Sequence, residues 1–370
     1  MTKHTLYVGL DTDSKHIDVA VAEPLPHGEV RYWGKLDNEP AAVDRLVKRL
    51  QKNARQLVVC YEAGPCGYGL YRQLSSKRGV TCQVVAPSMI PRRPGRRVKT
   101  NRRDCLSLAK LLRAEELTAV WVPDEAHEAM RDLVRARSQA RADAVRCGQR
   151  IGGFLLRQGM RYESKPWTKQ HRLWLRRLEL AAPAHRLMLG ELLEALDQAE
   201  ARHDRLLDHI RELVPHWSLA WLVEAIQALR GYRLINAVTV AAEIGDPRRF
   251  SNPRPLMAFL GAVPSEHSTG ESVRRGGITK TGNGRARKAL IEAAWTYTHP
   301  VRVAARTPAH PVPEVRAIAE KARHRLSRRY RQLRARGKLA PVAATAIARE
   351  SLGFIWAIAH AAAPNATPQR

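Results

Sequence analysis

The chain has 370 residues, 63 of them Lys or Arg against 35 Asp or Glu, for a formal net charge of +28. With 44% hydrophobic residues it has material for real cores, which excludes a wholly disordered basic tail. Such a charge concerns partners rather than fold and favours a polyanion, either nucleic acid or an anionic membrane surface.

The membrane option weakens at once. No run of about 18 apolar residues exists, and Met1–Thr5 leads into a strand-like segment without the basic-then-apolar order of a signal peptide. The cysteines at 60, 66, 82, 105 and 147 are scattered, with no Cys-x-x-Cys pair. That pattern reads as reduced cytoplasmic thiols, not a disulfide framework or a zinc site. Nucleic acid in the cytoplasm is the expected partner and place.

In chain order, Thr5–Leu10, Ile17–Ala22 and Val30–Leu36 read as strands joined by short polar connectors, an antiparallel meander. A helix follows near 40–53. Gln56–Tyr61 is a continuous apolar run, as in a buried central strand. A helix near 67–78, a strand Thr81–Ala86 and a helix near 103–116 complete a βββαβαβα order, an α/β mixed sheet with helices. From about 126 to 213 strand patterns vanish. Leu189, Leu192, Leu196, Ala199, His203, Leu206, Ile210 and Leu213 form a heptad seam, suited to pairing protomers. The acids at 191, 194, 197, 200, 204, 208 and 212 make one stripe, expected to face a basic helix or solvent. Residues 225–300 are helix-rich with Gly and Pro punctuation. The segment 315–338 is strongly basic, and the apolar helix 340–362, interrupted by Arg349 and Glu350, is expected to pack on protein. The expected domains are 1–124, 125–215 (helical, coiled-coil), 216–300 and a basic helical tail 301–370.

Asp11 closes the first strand, Glu62 the Gln56–Tyr61 run, and Asp104 lies in the first turn of the following helix. Carboxylates at strand ends of one sheet can converge, and three together repel unless a cation sits among them. Hard oxygen ligands suit Mg²⁺ or Mn²⁺, and two such ions support phosphodiester chemistry. Taken singly, each acid is more often a structural strand-end or cap residue; the triple in this element order is far more specific.

These residues resemble the DEDD transposases of insertion-sequence family 110 and its 1111 subgroup, whose N-terminal domain has the RuvC-like, ribonuclease-H fold. That pattern is Asp on the first strand, Glu on the fourth, then Asp-x-x-Asp after Lys-Thr on a helix. Gly9-Leu10-Asp11-Thr12, Glu62-Ala63-Gly64 and Lys99-Thr100-Asn101-Arg102-Arg103-Asp104 supply it, with Asn101 where the family has Asp. An Asn carbonyl can ligate a hard cation without adding charge; Asn101 also suits a helix cap. The resemblance implies Asp11, Glu62 and Asp104 as catalytic metal ligands, with Asn101 as a fourth candidate.

A second run resembles the family's C-terminal transposase domain: Glu243-Ile-Gly-Asp246, Arg249-Phe250, Gly261-Ala-Val-Pro264, Ser268-Thr-Gly270 and Gly276-Gly-Ile-Thr-Lys-Thr-Gly-Asn283. In the family the Ser just before Gly becomes joined to DNA. Thr269 holds that register and Ser268 precedes it, so the nucleophile is one of the two. Ser268-Thr-Gly-Glu271 also fits a capping box, but 272–277 reads as loop rather than helix. Glycines beside Arg274, Arg275 and Lys280, then a helix from near Gly284 carrying Arg285 and Arg287 after Asn283, suit a phosphate at a helix N-terminus. Leu229–Asn236 weakly resembles a helix–hairpin–helix glycine turn. Seven of the twelve residues 92–103 are basic, namely Arg92, Arg93, Arg96, Arg97, Lys99, Arg102 and Arg103, a phosphate track beside Asp104.

The expectation is a DNA transposase or recombinase acting by metal-assisted phosphoryl transfer through Ser268 or Thr269, with the two halves forming one composite site. The resemblance further implies a guide (bridge) RNA and a homo-oligomer, dimer or tetramer, with no membrane. Competing readings are a RuvC-like junction nuclease that uses water and a catalytically decayed nucleic-acid-binding protein.

Overall fold

Five strands carry the first of two compact units, Met1–Val122; the computed structural model describes residues 4–24, 28–91, 100–270, 272–299 and 310–363 of the chain. They are β1 (His4–Thr12), β2 (His16–Ala22), β3 (Val30–Asp37), β4 (Ala54–Glu62) and β5 (Val80–Val85), in the order β3-β2-β1-β4-β5. β1, β2 and β3 pair antiparallel, whereas β1–β4 and β4–β5 are parallel. The short connectors allow the meander; the parallel pairs need the crossovers supplied by α1 (Pro40–Gln51) and α2 (Gly69–Ser75).

Side-chain alternation splits the sheet into two faces. Leu6, Val8 and Leu10 of β1 pack with Val43, Leu46, Val47 and Leu50 of α1 and with Leu74 of α2. The opposite face carries α3 (Asn101–Arg113), whose Cys105 and Ala109 pack on Ala20 and Ala22 and whose Leu108 and Leu112 pack on Cys60 and Val85. Thr100, not Asn101, caps α3, its hydroxyl accepting the Arg103 N–H at 3.3 Å. Asn101 is the first helical residue, so its capping role is withdrawn.

The contact of α3 with β1 is closest at Gly9. A Cβ there would lie 2.4 Å from both the Ala109 nitrogen and the Cys105 oxygen. Both are backbone atoms and cannot swing aside, so only glycine lets the helix settle. Gly9→Ala is expected to destabilise the unit by about 1–3 kcal/mol, the usual cost of overpacking. A lower urea midpoint checks this; an unchanged midpoint would contradict the contact.

The second unit, Pro123–Arg370, is mainly helical. α4 (Glu125–Arg157) starts at Asp124, whose carboxylate accepts the His127 N–H. α5 (Lys169–Arg177) and α6 (Pro183–Leu213) follow. α4 and α6 run antiparallel: the Cys147 Sγ meets the Ala195 carbonyl at 3.7 Å, and Phe154 stands edge-on to His185. Leu189 and Leu196 of the heptad are buried with Ala144, Cys147, Ile151, Phe154 and Leu155 of α4. That part of the seam, expected to face another protomer, is filled within the chain. Periodicity fixes the face of a helix, not whose helix covers it. The acidic stripe meets a basic helix as expected, for Arg172 of α5 grips Glu200 with two hydrogen bonds of 2.8 and 2.7 Å, and Arg176 reaches Asp197.

The helices α7 (Ala220–Gln227), α8 (Leu234–Ile244), α9 (Pro253–Phe259), α10 (Gly284–Ala294), α11 (Pro313–Ala335) and α12 (Ala340–Ala362) share one core, and the hairpin β6 (Pro264–Glu266) and β7 (Arg275–Ile278) lies outside it between α9 and α10 in the chain. β7 replaces the loop expected over 272–277. Its side chains are nearly all exposed, so no apolar alternation marked it as a strand. By length and composition α12 could cross a membrane. It nevertheless buries Ile347, Leu352, Ile355 and Ile358 in the core, as expected of a helix packed on protein.

Candidate active site

In the first unit the backbone brings the predicted acids to one end of one face. Gly9 faces α3, so Asp11, two residues on, lies on the same face; Cys60 and Glu62 of β4 share it by the same alternation. Leu10 pairs with Tyr61, which puts Asp11 and Glu62 side by side one step later, at the C-terminal ends of adjacent parallel strands. α3 runs back along this face, and its first turn carries Asp104 beside Cys105. The sheet therefore delivers Asp11 and Glu62, and the helix delivers Asn101 and Asp104.

Asp18 was not among the expected residues. It pairs directly with Asp11 across β1–β2, is 7% exposed, and accepts a 2.6 Å hydrogen bond from the Tyr32 hydroxyl. That bond and burial push the Tyr32 hydroxyl up to about 12. Burial, with the charges of Asp18 and Asp11 behind it, pushes the neighbouring Cys105 thiol up to about 12. The corner is thus electronegative. The signal was legible: Asp18 is the single charge in Ile17-Asp-Val-Ala-Val-Ala22, a strand otherwise apolar throughout.

Three carboxylates and one amide oxygen are the donor types of a hard divalent cation, so the residue types suit one. Among the described residues, no three His, Cys, Asp or Glu side chains stand close enough together to hold an ion. Of the expected phosphate track, Arg102 and Arg103 are exposed on α3, and the Arg102 guanidinium lies 5.0 Å over the Tyr32 ring. Arg92, Arg93, Arg96, Arg97 and Lys99 lie outside the described residues.

In the second unit Ser268 and Thr269 occupy the tip of the β6–β7 hairpin. Pro264 pairs with Ile278 and Glu266 with Arg275. The His267 N–H reaches the Arg274 carbonyl, and Thr269 and Ser272 exchange backbone hydrogen bonds of 3.1 Å around Gly270, whose φ is 55°. The tip is exposed, and the Ser268 hydroxyl donates to the Glu266 Oε1 at 2.8 Å. Arg275 Nε donates to the other oxygen of Glu266 at 3.3 Å. Those two bonds hold the Glu266 carboxyl below its usual range.

Two motif glycines close the base of the hairpin. At Gly261, φ 58°, a Cβ would lie 2.2 Å from the Thr281 oxygen; at Gly282, φ 69°, it would lie 2.0 Å from the Phe259 oxygen. Their demand for glycine comes from backbone meeting backbone.

Asn283 and Arg287, expected at a phosphate, are spent on this framework. Asn283 Oδ1 caps α10, accepting from the Arg285 and Ala286 N–H groups, and its Nδ2 donates to Glu243 at 2.5 Å. Arg287 donates to the carbonyls of Leu260 and Thr281. Arg274, Lys280 and Arg285 remain exposed around the hairpin.

Glu243, on α8, has a fully buried side chain. Arg135 of α4 holds it by a fork of 2.8 and 2.7 Å. Burial pushes its carboxyl up, and the bonds from Arg135 and Asn283 outweigh this and leave it below the usual range. His127 and Arg131 of α4 both reach the Ala242 carbonyl, at 2.7 and 3.0 Å. The Glu-Ile-Gly-Asp motif therefore joins α4, α8 and the foot of the hairpin.

Comparison with known proteins agrees with both halves. Residues 8–159 match the DEDD transposase model of insertion-sequence 110 type, and residues 223–307 match the transposase family IS116/IS110/IS902. A Sinorhizobium fredii protein carrying a transposase name, y4qE, is 50% identical over 361 residues, covering 96% of this chain and 89% of that protein. The transposase for insertion sequence element IS1533 of Leptospira borgpetersenii is 28% identical over 344 residues, covering 91% and 99%. That for IS1111A of Coxiella burnetii is 38% identical over 71 residues, covering 19% and 20%. The class is that of DNA transposases, enzymes that move an insertion sequence. Within it, the chain belongs to the IS110-type DEDD family.

Proposed function

We propose that the chain cuts and rejoins DNA at the ends of its insertion sequence by phosphoryl transfer to its own hydroxyl group. The observation that carries this reading is the Ser268 hydroxyl at an exposed hairpin tip, already hydrogen-bonded to a carboxylate. A hydroxyl is a poor nucleophile until a base or a metal activates it.

Asp11, Glu62 and Asp104, with the Asn101 amide, would hold Mg²⁺ or Mn²⁺. Such an ion, when bound, supplies charge that steadies a phosphate during transfer. Asp18 would keep that corner electronegative and Tyr32 would hold Asp18 in place. Arg102 and Arg103 would draw in the phosphate backbone, as would Arg274, Arg275, Lys280 and Arg285 around the hairpin. Lys321, Arg328, Arg329, Arg331 and Arg336 form an exposed basic face on and just beyond α11. This face would take a structured guide RNA, whose backbone offers the same charge. The protein would work as a homo-oligomer on bacterial DNA in the cytoplasm.

Incubated with Mg²⁺ and DNA carrying the ends of its element, the full-length protein is expected to leave a covalent protein–DNA adduct on a denaturing gel. The Ser268→Ala/Thr269→Ala double variant should leave none. Clean cuts without an adduct would sink the proposal and favour a water-using junction nuclease.

A further inference from the structure

We infer that Ser268 is the attacking hydroxyl and that Glu266 is the general base that receives its proton. This rests on the transposase reading above and supplies that site with its base.

Three observations carry it. Ser268 Oγ donates to Glu266 Oε1 at 2.8 Å, within the reach required of a base toward the proton it abstracts. The carboxylate has a second partner that orients it. Glu266 and Arg275 are register partners across the hairpin, and Arg275 Nε holds Oε2 at 3.3 Å. The nucleophile–base–orienting group order of activated hydroxyls is thus laid out within ten residues, 266–275. Thr269 lacks this arrangement. Its backbone is tied to Ser272 in both directions, and among the described residues its hydroxyl has no hydrogen-bond partner. Its β-methyl also crowds an in-line approach to phosphorus. The Glu266 carboxyl lies below its ordinary range, so it is ionised and open to a proton, though a weaker base than a free carboxylate.

The step balances without a further reactant. As the Oγ–phosphorus bond forms, the Ser268 proton passes to Glu266 Oε1. The bond from phosphorus to the departing deoxyribose oxygen breaks, and that oxygen takes up the proton Glu266 received, directly or through water. The products are a phosphodiester on Ser268 and a free deoxyribose hydroxyl, and Glu266 is again a carboxylate.

The test uses the full-length protein with Mg²⁺, a supercoiled plasmid carrying both ends of the element and their flanking non-coding DNA, and a transcript of that DNA. The adduct is digested and its phosphorylated residue located by mass spectrometry. Expected are an adduct on Ser268 and adduct formation slowed about 10²-fold in Glu266→Gln, at the low end for general-base catalysis because the group is solvent-exposed. Glu266→Asp should restore part of the rate, since it keeps the base at a longer reach. Glu266 is half exposed, so Glu266→Gln should melt with the wild-type protein. An adduct on Thr269, or equal rates for wild type and Glu266→Gln, overturns the inference and leaves the transposase reading standing. A wild-type protein that makes no adduct overturns both.

Discussion

Asp11→Asn is expected to lose strand cleavage by at least about 10³-fold, the scale of removing a group that stabilises transition-state charge, while the protein stays folded. The amide keeps the shape of the carboxylate, and the local fold is set elsewhere, by α3 seated on Gly9. What disappears is one negative charge at a corner where Asp11 and Asp18 stand directly opposite each other on neighbouring strands. Like charges so placed are destabilising. The variant should therefore melt near the wild-type temperature, while cleavage of element-end DNA falls below detection. That opposition of stability and activity separates a functional carboxylate from a structural one. Cleavage at the wild-type rate by Asp11→Asn would remove the acids from the mechanism.

Glu243→Ala should be the most damaging single change to the second unit. Its buried carboxylate joins α4 through Arg135 and the foot of the hairpin through Asn283. Removing Glu243 takes a buried acceptor from both the guanidinium and the amide, at about 3 kcal/mol, the low end for such a pair because Arg135 is partly exposed. For a unit of this size that lowers the melting temperature by on the order of 10 °C. Acid should act in the same direction. Glu243 sits below its ordinary 4.5, so its contribution is complete above that value and drains away as pH falls through the lower, folded value. Wild-type protein should lose stability in this window, and Glu243→Gln should lack that component. Melting curves of the full chain between neutral pH and pH 3 decide it; a Glu243→Ala melt within 2 °C of wild type would contradict the anchor.

Much of the first unit was legible because its patterns are local. The apolar run of β4 marks a strand buried on both faces, and the short polar connectors mark a meander. The acids at strand ends were legible too, since register follows once the strand order is known. Asp18 was overlooked although it breaks an apolar strand. Thr100 rather than Asn101 caps α3, a one-residue shift that composition does not resolve, both being good caps. The second unit was harder for physical reasons. Asn283 looked like a phosphate ligand because it opens a basic helix. Its partner, Glu243, stands 40 positions away, and Arg135 lies 108 positions from Glu243. No periodicity encodes such pairings. The hairpin escaped notice since both of its faces are wet, and the heptad told which side of α6 is apolar without saying that α4 covers it.

The root of α4 has a mechanical meaning. From Arg135 to Arg157 the helix extends roughly 33 Å at the usual rise per residue, stiffened by α6 packed along it. Fixed at one end and free to be loaded along its length, it is a lever. A tilt of about 10° would carry its tip roughly 6 Å, yet strain the root by a fraction of that distance. A push on that arm would reach Glu243 through Arg135, and through Glu243 the Asn283 side chain at the foot of the hairpin.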